Sequence, residues 1–132
     1  MRRAEISAKL RVFPYDPAEY WAIMGSAMVL YGFREETHDI DLGCTKKLAD
    51  ELEAAGFLYK IMDDGNRWFR LDEKLEVFEN WLHDHVVFVD GVPVISVQGL
   101  LQMKQVLGRE KDLRDIRLIQ EKLEEERGEG TV

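Results

Sequence analysis

The chain has 132 residues, 45% of them hydrophobic and 33% charged, and this size and balance predict one compact domain over 1–132. The formal net charge of −8 disfavours binding to extended nucleic acid, because the field around such a protein repels polyanions. A single cysteine excludes an intramolecular disulfide, and no apolar run is long enough to span a bilayer, so we expect a cytoplasmic protein without membrane association.

The first predicted elements surround a glycine–serine pair. The segment DPAEYW, residues 16–21, has an Asp-Pro start that is typical of a helix, and the apolar residues 21–24 predict a short buried strand. Ser26 is a good N-cap, so a short helix is predicted over 27–31. Gly32 is a natural stop for that helix.

Two aspartates follow in a segment that alternates like a half-buried strand, HDIDLGC, residues 38–44. Asp39 and Asp41 fall on one face, with attachment points about 6–7 Å apart. Two carboxylates at that distance can hold a hard cation and leave room for substrate phosphates. The pair alone is a weak signal, because chance gives roughly one Asp-x-Asp in a chain of this composition.

The rest of the chain predicts a helix, a group of strands and two final helices. Thr45 caps the helix and Gly56 ends it. Aromatic and β-branched runs separated by turn signals predict antiparallel strands within 57–62, 67–71, 75–82 and 86–96. The final helices are separated at Gly108, and the second has one apolar stripe, Leu113, Ile116, Ile119 and Leu123. A disordered tail is expected over 128–132. The fold class is therefore α+β, with a mixed, mostly antiparallel sheet flanked by helices.

The glycine–serine pair has a chemical interpretation as well as a structural one. Gly25 lets a phosphate approach the backbone, and a helix that starts there presents free N–H groups to it. Ser26 can add a hydroxyl donor, although a helix cap explains the same residue. A helix between this pair and the two aspartates would bring both features to one edge of a sheet.

As one unit, GSAMVLYGFREETHDIDL resembles the signature of the nucleotidyltransferase superfamily, which includes DNA polymerase β, the aminoglycoside and lincosamide nucleotidyltransferases and small bacterial stand-alone members. The shared pattern is a Gly-Ser that opens a helix, a Gly-x-Arg at its end, and Thr-x-Asp-x-Asp on a strand. The matching residues are Gly25, Ser26, Gly32, Arg34, Thr37, Asp39 and Asp41. The C-terminal region is similar to the Lys-Asp-x-x-Asp helix of small and toxin-related members, with Lys104, Lys111, Asp112 and Asp115 in the matching places.

This resemblance implies a nucleotidyltransferase-like fold and the transfer of a nucleoside monophosphate from a magnesium or manganese nucleoside triphosphate to an acceptor, with release of pyrophosphate. Asp39 and Asp41 would be catalytic metal ligands. The residues assigned to nucleotide and phosphate binding are Gly25, Ser26, Arg34, Thr37, Lys104 and Lys111.

The resemblance also implies a third carboxylate on a later strand, which bridges the metal to the attacking hydroxyl or acts as a base. Glu76 is the best match and is assigned as a catalytic and metal residue, although the family more often has Asp there. Glu79 is the alternative. The two lie on opposite faces of an alternating strand, so the register decides between them.

Several of these residues have a second interpretation. Arg34 either contacts phosphates or pairs with a nearby acid, and the two lysines either neutralise a triphosphate or lie on a helix surface. Asp112 and Asp115 are exposed or capping residues unless they meet Lys104 or Arg34. The aromatic residues of the middle region are better explained as core or sheet face than as base-stacking platforms: Trp68, Phe69, Phe78 and Trp81.

The sequence leaves three functional hypotheses open. The first is an enzyme that takes a nucleoside triphosphate and an unidentified acceptor. The second is a non-catalytic nucleotide- or partner-binding module of the same fold, such as one half of a toxin–antitoxin pair. The third is a structural α/β protein with a chance motif. A chain this short has little room to enclose an acceptor, so a homodimer or a partner protein is expected.

Overall fold

The computed structural model describes the backbone of residues 1–129 and the side chains of residues 1–127. In this range the helices are α1 (Arg3–Arg11), α2 (Met24–Leu30), α3 (Lys46–Ala54), α4 (Val97–Leu107) and α5 (Glu110–Glu129). The strands are β1 (Tyr20–Ile23), β2 (Ile40–Cys44), β3 (Tyr59–Ile61), β4 (Arg67–Asp72), β5 (Leu75–Glu79), β6 (Val86–Val89) and β7 (Val92–Ile95). The tail predicted over 128–132 falls on α5 as far as Glu129 and otherwise lies outside the described residues.

The strands form one mixed sheet in the order β3-β4-β5-β2-β1-β7-β6. The pairs β2–β5 and β1–β7 are parallel, and the remaining neighbours are antiparallel. Short turns join the strands of the hairpins, whereas each parallel pair is joined by a long crossover. The predicted α+β class with a mixed, mostly antiparallel sheet is confirmed.

The core lies around the centre of the sheet. Every residue of β1 and of β7 is buried, as is typical of strands that are covered on both faces. Helix α2 is buried from Gly25 to Leu30, so it is held rigidly beside the start of β2. None of the helices within residues 1–129 combines the length and the apolar character needed to cross a membrane.

The N-terminal region differs from its prediction in two places. Helix α1 is not indicated by the patterns described above. The Asp16 segment forms a turn and not a helix: its Oδ1 accepts the N–H of Ala18 at 2.9 Å, and its carbonyl accepts that of Glu19 at 2.9 Å. A turn of this kind uses the same side-chain acceptor that a helix cap would use, so the sequence does not separate the two.

Helix α2 begins earlier than predicted. Its first residue is Met24, so Ser26 lies inside the helix and does not cap it. Met24 has a φ of 56°, an uncommon value for a residue with a long side chain, and this backbone turns the chain from β1 into the helix. Gly32, with a φ of 82°, follows the helix end, which confirms the predicted stop.

The predicted apolar stripe of helix α5 is confirmed at Ile119, which is fully buried, and at Leu123, which is partly buried against the core, but not at Leu113. Leu113 is 56% exposed, whereas Asp112 and Asp115 are buried on the same side as Ile119. The prediction for Leu113 is therefore wrong. The physical reason is that paired carboxylates occupy the buried face, and a hydropathy pattern counts them as polar surface.

Candidate active site

Asp41 and Glu76 face each other on neighbouring strands. Parallel pairing of β2 with β5 sets Asp41 opposite Glu76, and the two carboxyl groups are within hydrogen-bonding reach. Paired residues on adjacent strands project from the same face of the sheet. Asp39 precedes β2 in a bend and lies near enough to raise the pKa of Asp41. The structure thus brings Asp41 and Glu76 together, with Asp39 at the margin of the cluster.

The electrostatics of this pair favour a shared proton or a bound cation. Burial, then the neighbouring Glu76 and Asp39, raise the pKa of the Asp41 carboxyl to about 7, against an opposing effect of Lys104. Close carboxylates titrate as a pair, because both cannot carry a charge without a large repulsion. A cation placed between them relieves the same repulsion, so the pair is suited to metal binding near neutral pH.

Glu79 lies on the opposite face of β5 and has a structural role. Its carboxylate accepts from Nη2 of Arg67 at 2.6 Å and from Nε at 3.0 Å, and it also accepts the Arg67 backbone N–H at 2.9 Å. Hydrogen bonds from Arg67 lower the pKa of Glu79 in spite of its burial. The register therefore selects Glu76 as the carboxylate beside Asp41.

Ser26 holds the backbone that carries Asp41. The Ser26 residue is fully buried, and its hydroxyl lies 2.7 Å from the carbonyl oxygen of Ile23 and 3.0 Å from that of Asp41, which share its single proton. The hydroxyl oxygen accepts the Asp41 N–H at 3.3 Å. The Ser26 hydroxyl thus contacts the main chain just before α2 and within β2. These contacts fix the position of Asp41.

Gly25 is packed tightly against the loop that leads to β2. A Cβ at this position would overlap Oγ1 of Thr37 and would lie 3.4 Å from Nη1 of Arg34. Any larger residue would push one of these side chains aside. Because Gly25 has no side chain, its backbone, the Thr37 side chain and the Arg34 guanidinium can lie close together in the wall of the cleft.

Lys104 is the centre of a buried ion network. Its Nζ lies 3.2 Å from Asp112 Oδ1 and 2.9 Å from Asp115 Oδ2, and its side chain is only 4% exposed. Hydrogen bonds from Arg109 and Lys104 outweigh burial and lower the pKa of Asp112 to about 2. Asp112 is therefore ionised, and the burial of Lys104 excludes the alternative interpretation that places it on a helix surface.

The second aspartate of the network positions Arg34. Asp115 accepts from Arg34 Nε at 3.2 Å and from Nη2 at 2.8 Å, a bidentate pair. These two hydrogen bonds use Nε and Nη2 of the guanidinium, so that Nη1 remains on the side that faces Gly25. Arg34 is therefore paired with an acid and also lines the cleft, and its contact with phosphates stays a prediction.

A cleft of about 490 Å³ joins these groups. The predicted site residues that line it are Gly25, Arg34, Thr37, Asp41, Glu76, Lys104 and Lys111. Ser26 and Asp39 do not line it. A larger groove of about 1300 Å³ adjoins the cleft and shares four residues with it: Arg34, Arg109, Lys111 and Asp115.

Several residues that line the cleft are not assigned to the site from the sequence: Met24, His38, Phe78, Trp81, Leu107 and Arg109. Arg109 joins the network through Asp112, with Nε at 2.6 Å from Oδ2. Phe78, Trp81 and Leu107 form an apolar part of the wall. Phe78 had a usable signal, because it shares the alternating face of β5 with Glu76. Arg109 had none, because its role depends on how α5 docks.

The carboxylates fit a metal only as part of a larger ligand set. Among residues 1–129, no group of three or more His, Cys, Asp or Glu side chains is arranged to hold an ion. Mg²⁺ is commonly held by one or two carboxylates together with substrate phosphates and water. The facing pair of Asp41 and Glu76, with cations a short distance along the same cleft, matches that donor chemistry.

Comparisons with known proteins support the fold. No family model matches the chain, and no curated protein matches it. The chain is similar to the crystal structure of a candidate nucleotidyltransferase from Thermotoga maritima, with a TM-score of 0.61, 19% identity, and coverage of 89% of this chain and 93% of that chain. It is also similar to ANT(2″)-Ia in complex with adenylyl-2″-tobramycin, with a TM-score of 0.56, 18% identity, and coverage of 96% of this chain and 89% of that chain. At these identities the likeness establishes a shared fold.

Proposed function

We propose that this chain, which has the fold of nucleotidyltransferases, transfers a nucleoside monophosphate from a Mg²⁺- or Mn²⁺-bound nucleoside triphosphate to the hydroxyl of an acceptor and releases pyrophosphate. The observation that carries the proposal is the Asp41–Glu76 pair in a cleft that also contains Lys104, Arg34 and Arg109. Carboxylates for a cation and cations for phosphates are the two requirements of phosphoryl-type transfer, which depends on positioning and charge stabilisation.

The cationic side chains supply the phosphate-binding end. Lys104 forms ion pairs with Asp112 and Asp115, and because an ammonium group has three donors we expect it also to donate to a phosphate oxygen. Arg34 presents Nη1 beside the Gly25 backbone. These groups, with Lys111 at the cleft rim, would hold the β- and γ-phosphates and stabilise the charge that develops on the leaving pyrophosphate.

Asp41 and Glu76 would hold the divalent cation, which when bound neutralises charge on the reacting phosphate and on the attacking oxygen. Glu76 would also accept the proton of the acceptor hydroxyl, as a general base. The new bond joins the acceptor oxygen to the α-phosphorus, and the bond that breaks joins the α-phosphorus to the oxygen that bridges to the β-phosphate. Ser26 contributes by fixing the backbone of Asp41.

Isothermal titration with each nucleoside triphosphate in the presence of Mg²⁺ tests the proposal. We expect saturable binding by the wild type and loss of binding in Asp41→Asn and Glu76→Gln. Glu73→Gln is the matched control, because Glu73 is exposed in the turn just before β5. Absence of binding by the wild type, or unchanged binding in Asp41→Asn, contradicts the proposal.

The position of Asp39 favours a second candidate, a non-catalytic nucleotide-binding module of the same fold. Asp39 lies before β2 and does not line the cleft, so one of the three acids expected for fast chemistry, the first of the aspartate pair, is displaced. Nucleotide binding without label transfer to protein, RNA or small-molecule acceptors would favour this candidate. Release of pyrophosphate that depends on a defined acceptor would eliminate it.

A further inference from the structure

The two ends of the cleft differ in chemistry. Arg34, Thr37 and His38 lie in the loop before β2, and Lys104, Arg109 and Lys111 complete a cationic end. Phe78, Trp81 and Leu107 form an aromatic and aliphatic end. Along the strand direction the Asp41–Glu76 pair lies between the loop and Phe78, because the loop precedes Asp41 while Phe78 follows Glu76 and is paired with Gly43.

The aromatic end is built as a fixed wall. The rings of Phe78 and Trp81 stack with centroids 4.6 Å apart, and Phe78 also stacks on Trp68 at 6.1 Å. The Trp81 carbonyl accepts a hydrogen bond from Nε1 of Trp21 at 2.7 Å. A Cβ on Gly43 would overlap both partners of that bond, so the small residue is required there. Stacking thus holds these side chains in place, and a partly buried hydrogen bond holds the backbone of Trp81.

Part of the same wall also lines a second cavity. This cavity has a volume of about 280 Å³ and shares Trp81 and Leu107 with the cleft. Its other lining groups are a mixture of apolar and polar side chains: Asp64, Asn80, Leu82, His83, Met103 and Val106. A ligand that starts at the acid pair and extends along Trp81 therefore meets apolar surface first and polar groups beyond it.

In phosphoryl-type transfer, the attacking and leaving oxygens are roughly in line on opposite sides of the phosphorus. The leaving pyrophosphate belongs at the cationic end, so the attacking hydroxyl must approach from the opposite side. We propose that the Phe78–Trp81 end is the acceptor site and that the acceptor is a small molecule whose hydroxyl is carried on a ring with an apolar face. This inference rests on the proposed function and names the class of its second substrate.

Size and charge favour a small acceptor over a nucleic acid. The aromatic end and the adjoining cavity together offer a few hundred cubic ångströms, which is the scale of a small-molecule site. The net charge of −8 repels a polyanionic acceptor. The acceptor oxygen would bond to the α-phosphorus, its proton would go to Glu76, and pyrophosphate would leave towards Lys104.

Two aromatic substitutions test which ligand uses this end. Phe78→Leu and Trp81→Leu remove a ring while keeping an apolar side chain, and Phe88→Leu is the control because Phe88 is 64% exposed and lies outside the cleft.

The nucleotide probes are Mg²⁺ with a non-hydrolysable ATP analogue and Mg²⁺ with tripolyphosphate. The acceptor probes are methyl β-glucoside, 4-nitrophenyl β-glucoside and tobramycin, measured by ligand-observed NMR with the ATP analogue bound, and sorbitol is the open-chain comparison.

We expect the ATP analogue and tripolyphosphate to keep their wild-type affinities within about twofold in both variants. At least one ring probe should bind the wild type better than sorbitol and should lose about tenfold in affinity in the variants, a loss typical of removing one stacking partner. Loss of the ATP analogue without loss of tripolyphosphate would place the nucleobase there and overturn the inference. Equal binding of sorbitol, or no ring probe binding, also overturns it. Failure of tripolyphosphate to bind the wild type instead contradicts the proposed function.

Discussion

Asp41 and Glu76 lie directly opposite each other in the parallel register of β2 and β5, with their carboxyl groups within hydrogen-bonding reach. The pair is formed by two strands that are adjacent in the sheet but separated in sequence by α3 and a hairpin. Holding two carboxylates this close together costs free energy when both are ionised. The contacts around the pair determine which substitutions change stability and which change binding.

Asp41→Asn should stabilise the protein above neutral pH in the absence of divalent cations. The pKa of Asp41 rises from 3.8 to about 7 on folding, so the folded state binds the proton more tightly than the unfolded state. The associated stability is fully present below pH 4 and is lost as the pH rises through 7. In the wild type, the loss of unfolding free energy is on the order of 2–4 kcal/mol. Asp41→Asn lacks the titrating group and should not show this loss. Urea unfolding at pH 5 and pH 8 measures it, and an equal difference between the two proteins at both values contradicts the prediction.

Glu76→Gln and Glu79→Gln should have opposite consequences. Glu76→Gln removes a cleft carboxylate and should abolish binding of the Mg²⁺–triphosphate complex with little loss of stability. Glu79→Gln breaks the buried contact with Arg67 and should cost about 3 kcal/mol, with nucleotide binding retained. Chemical denaturation and isothermal titration on both variants separate the effects. Loss of nucleotide binding in Glu79→Gln would show that the register assignment is wrong.

The stability cost of Glu79→Gln should also depend on pH. Hydrogen bonds from Arg67 lower the pKa of Glu79, so its contribution is present above the unfolded value near 4.5 and is lost as the pH falls through the folded value. The difference in unfolding free energy between wild type and variant should therefore shrink below pH 4. A difference that stays constant from pH 7 to pH 3 argues against the ion pair.

Ser26→Ala should lower stability and weaken nucleotide binding together. The buried hydroxyl makes contacts with the backbone of Ile23 and Asp41, and its removal leaves those groups without a partner, which costs about 1–3 kcal/mol. Displacement of Asp41 then reduces affinity for Mg²⁺ with a triphosphate. The outcome that opposes this role is weaker binding with unchanged stability, because a direct phosphate contact would behave in that way. Ser7→Ala, in the buried face of α1, serves as a control for the loss of a buried hydroxyl.

Lys104→Met should be far more damaging than Lys111→Met. Lys104 is buried between Asp112 and Asp115. Its removal takes one ion-pair partner away from each of these carboxylates, which should cost about 3 kcal/mol. Lys111 is exposed, so its replacement should weaken triphosphate binding modestly and leave the unfolding midpoint unchanged. Thermal unfolding and titration of both variants provide the comparison. Equal midpoints for the two variants would contradict the role of the network.

The site residues that could be predicted are those close together in the sequence. Gly25, Arg34, Thr37 and Asp41 occur within one short segment, and the structure places them in one cleft. Glu76 could be named as a candidate but not chosen over Glu79, because a choice of face needs the pairing of β5 with β2. That pairing is a tertiary event which no local pattern encodes.

Other features were hidden for a different reason. Asp112 and Asp115 carry the signature of an exposed helix face, and only the docking of α5 onto Lys104 and Arg34 makes them interior groups. Ser26 was interpreted as a cap because its residue type suits one, yet the backbone at Met24 starts the helix earlier. In both cases, contacts with distant parts of the chain overrode a local preference.

Because Asp112 and Asp115 hold Lys104 and Arg34 in place, the cations of the cleft are ordered by α5. A chain whose sheet has formed before α5 docks would carry the two facing acids without their ordered cationic counterpart. Under the proposed function, nucleotide binding would therefore require a docked α5, and a bound nucleotide would in turn stabilise the docked state of that helix.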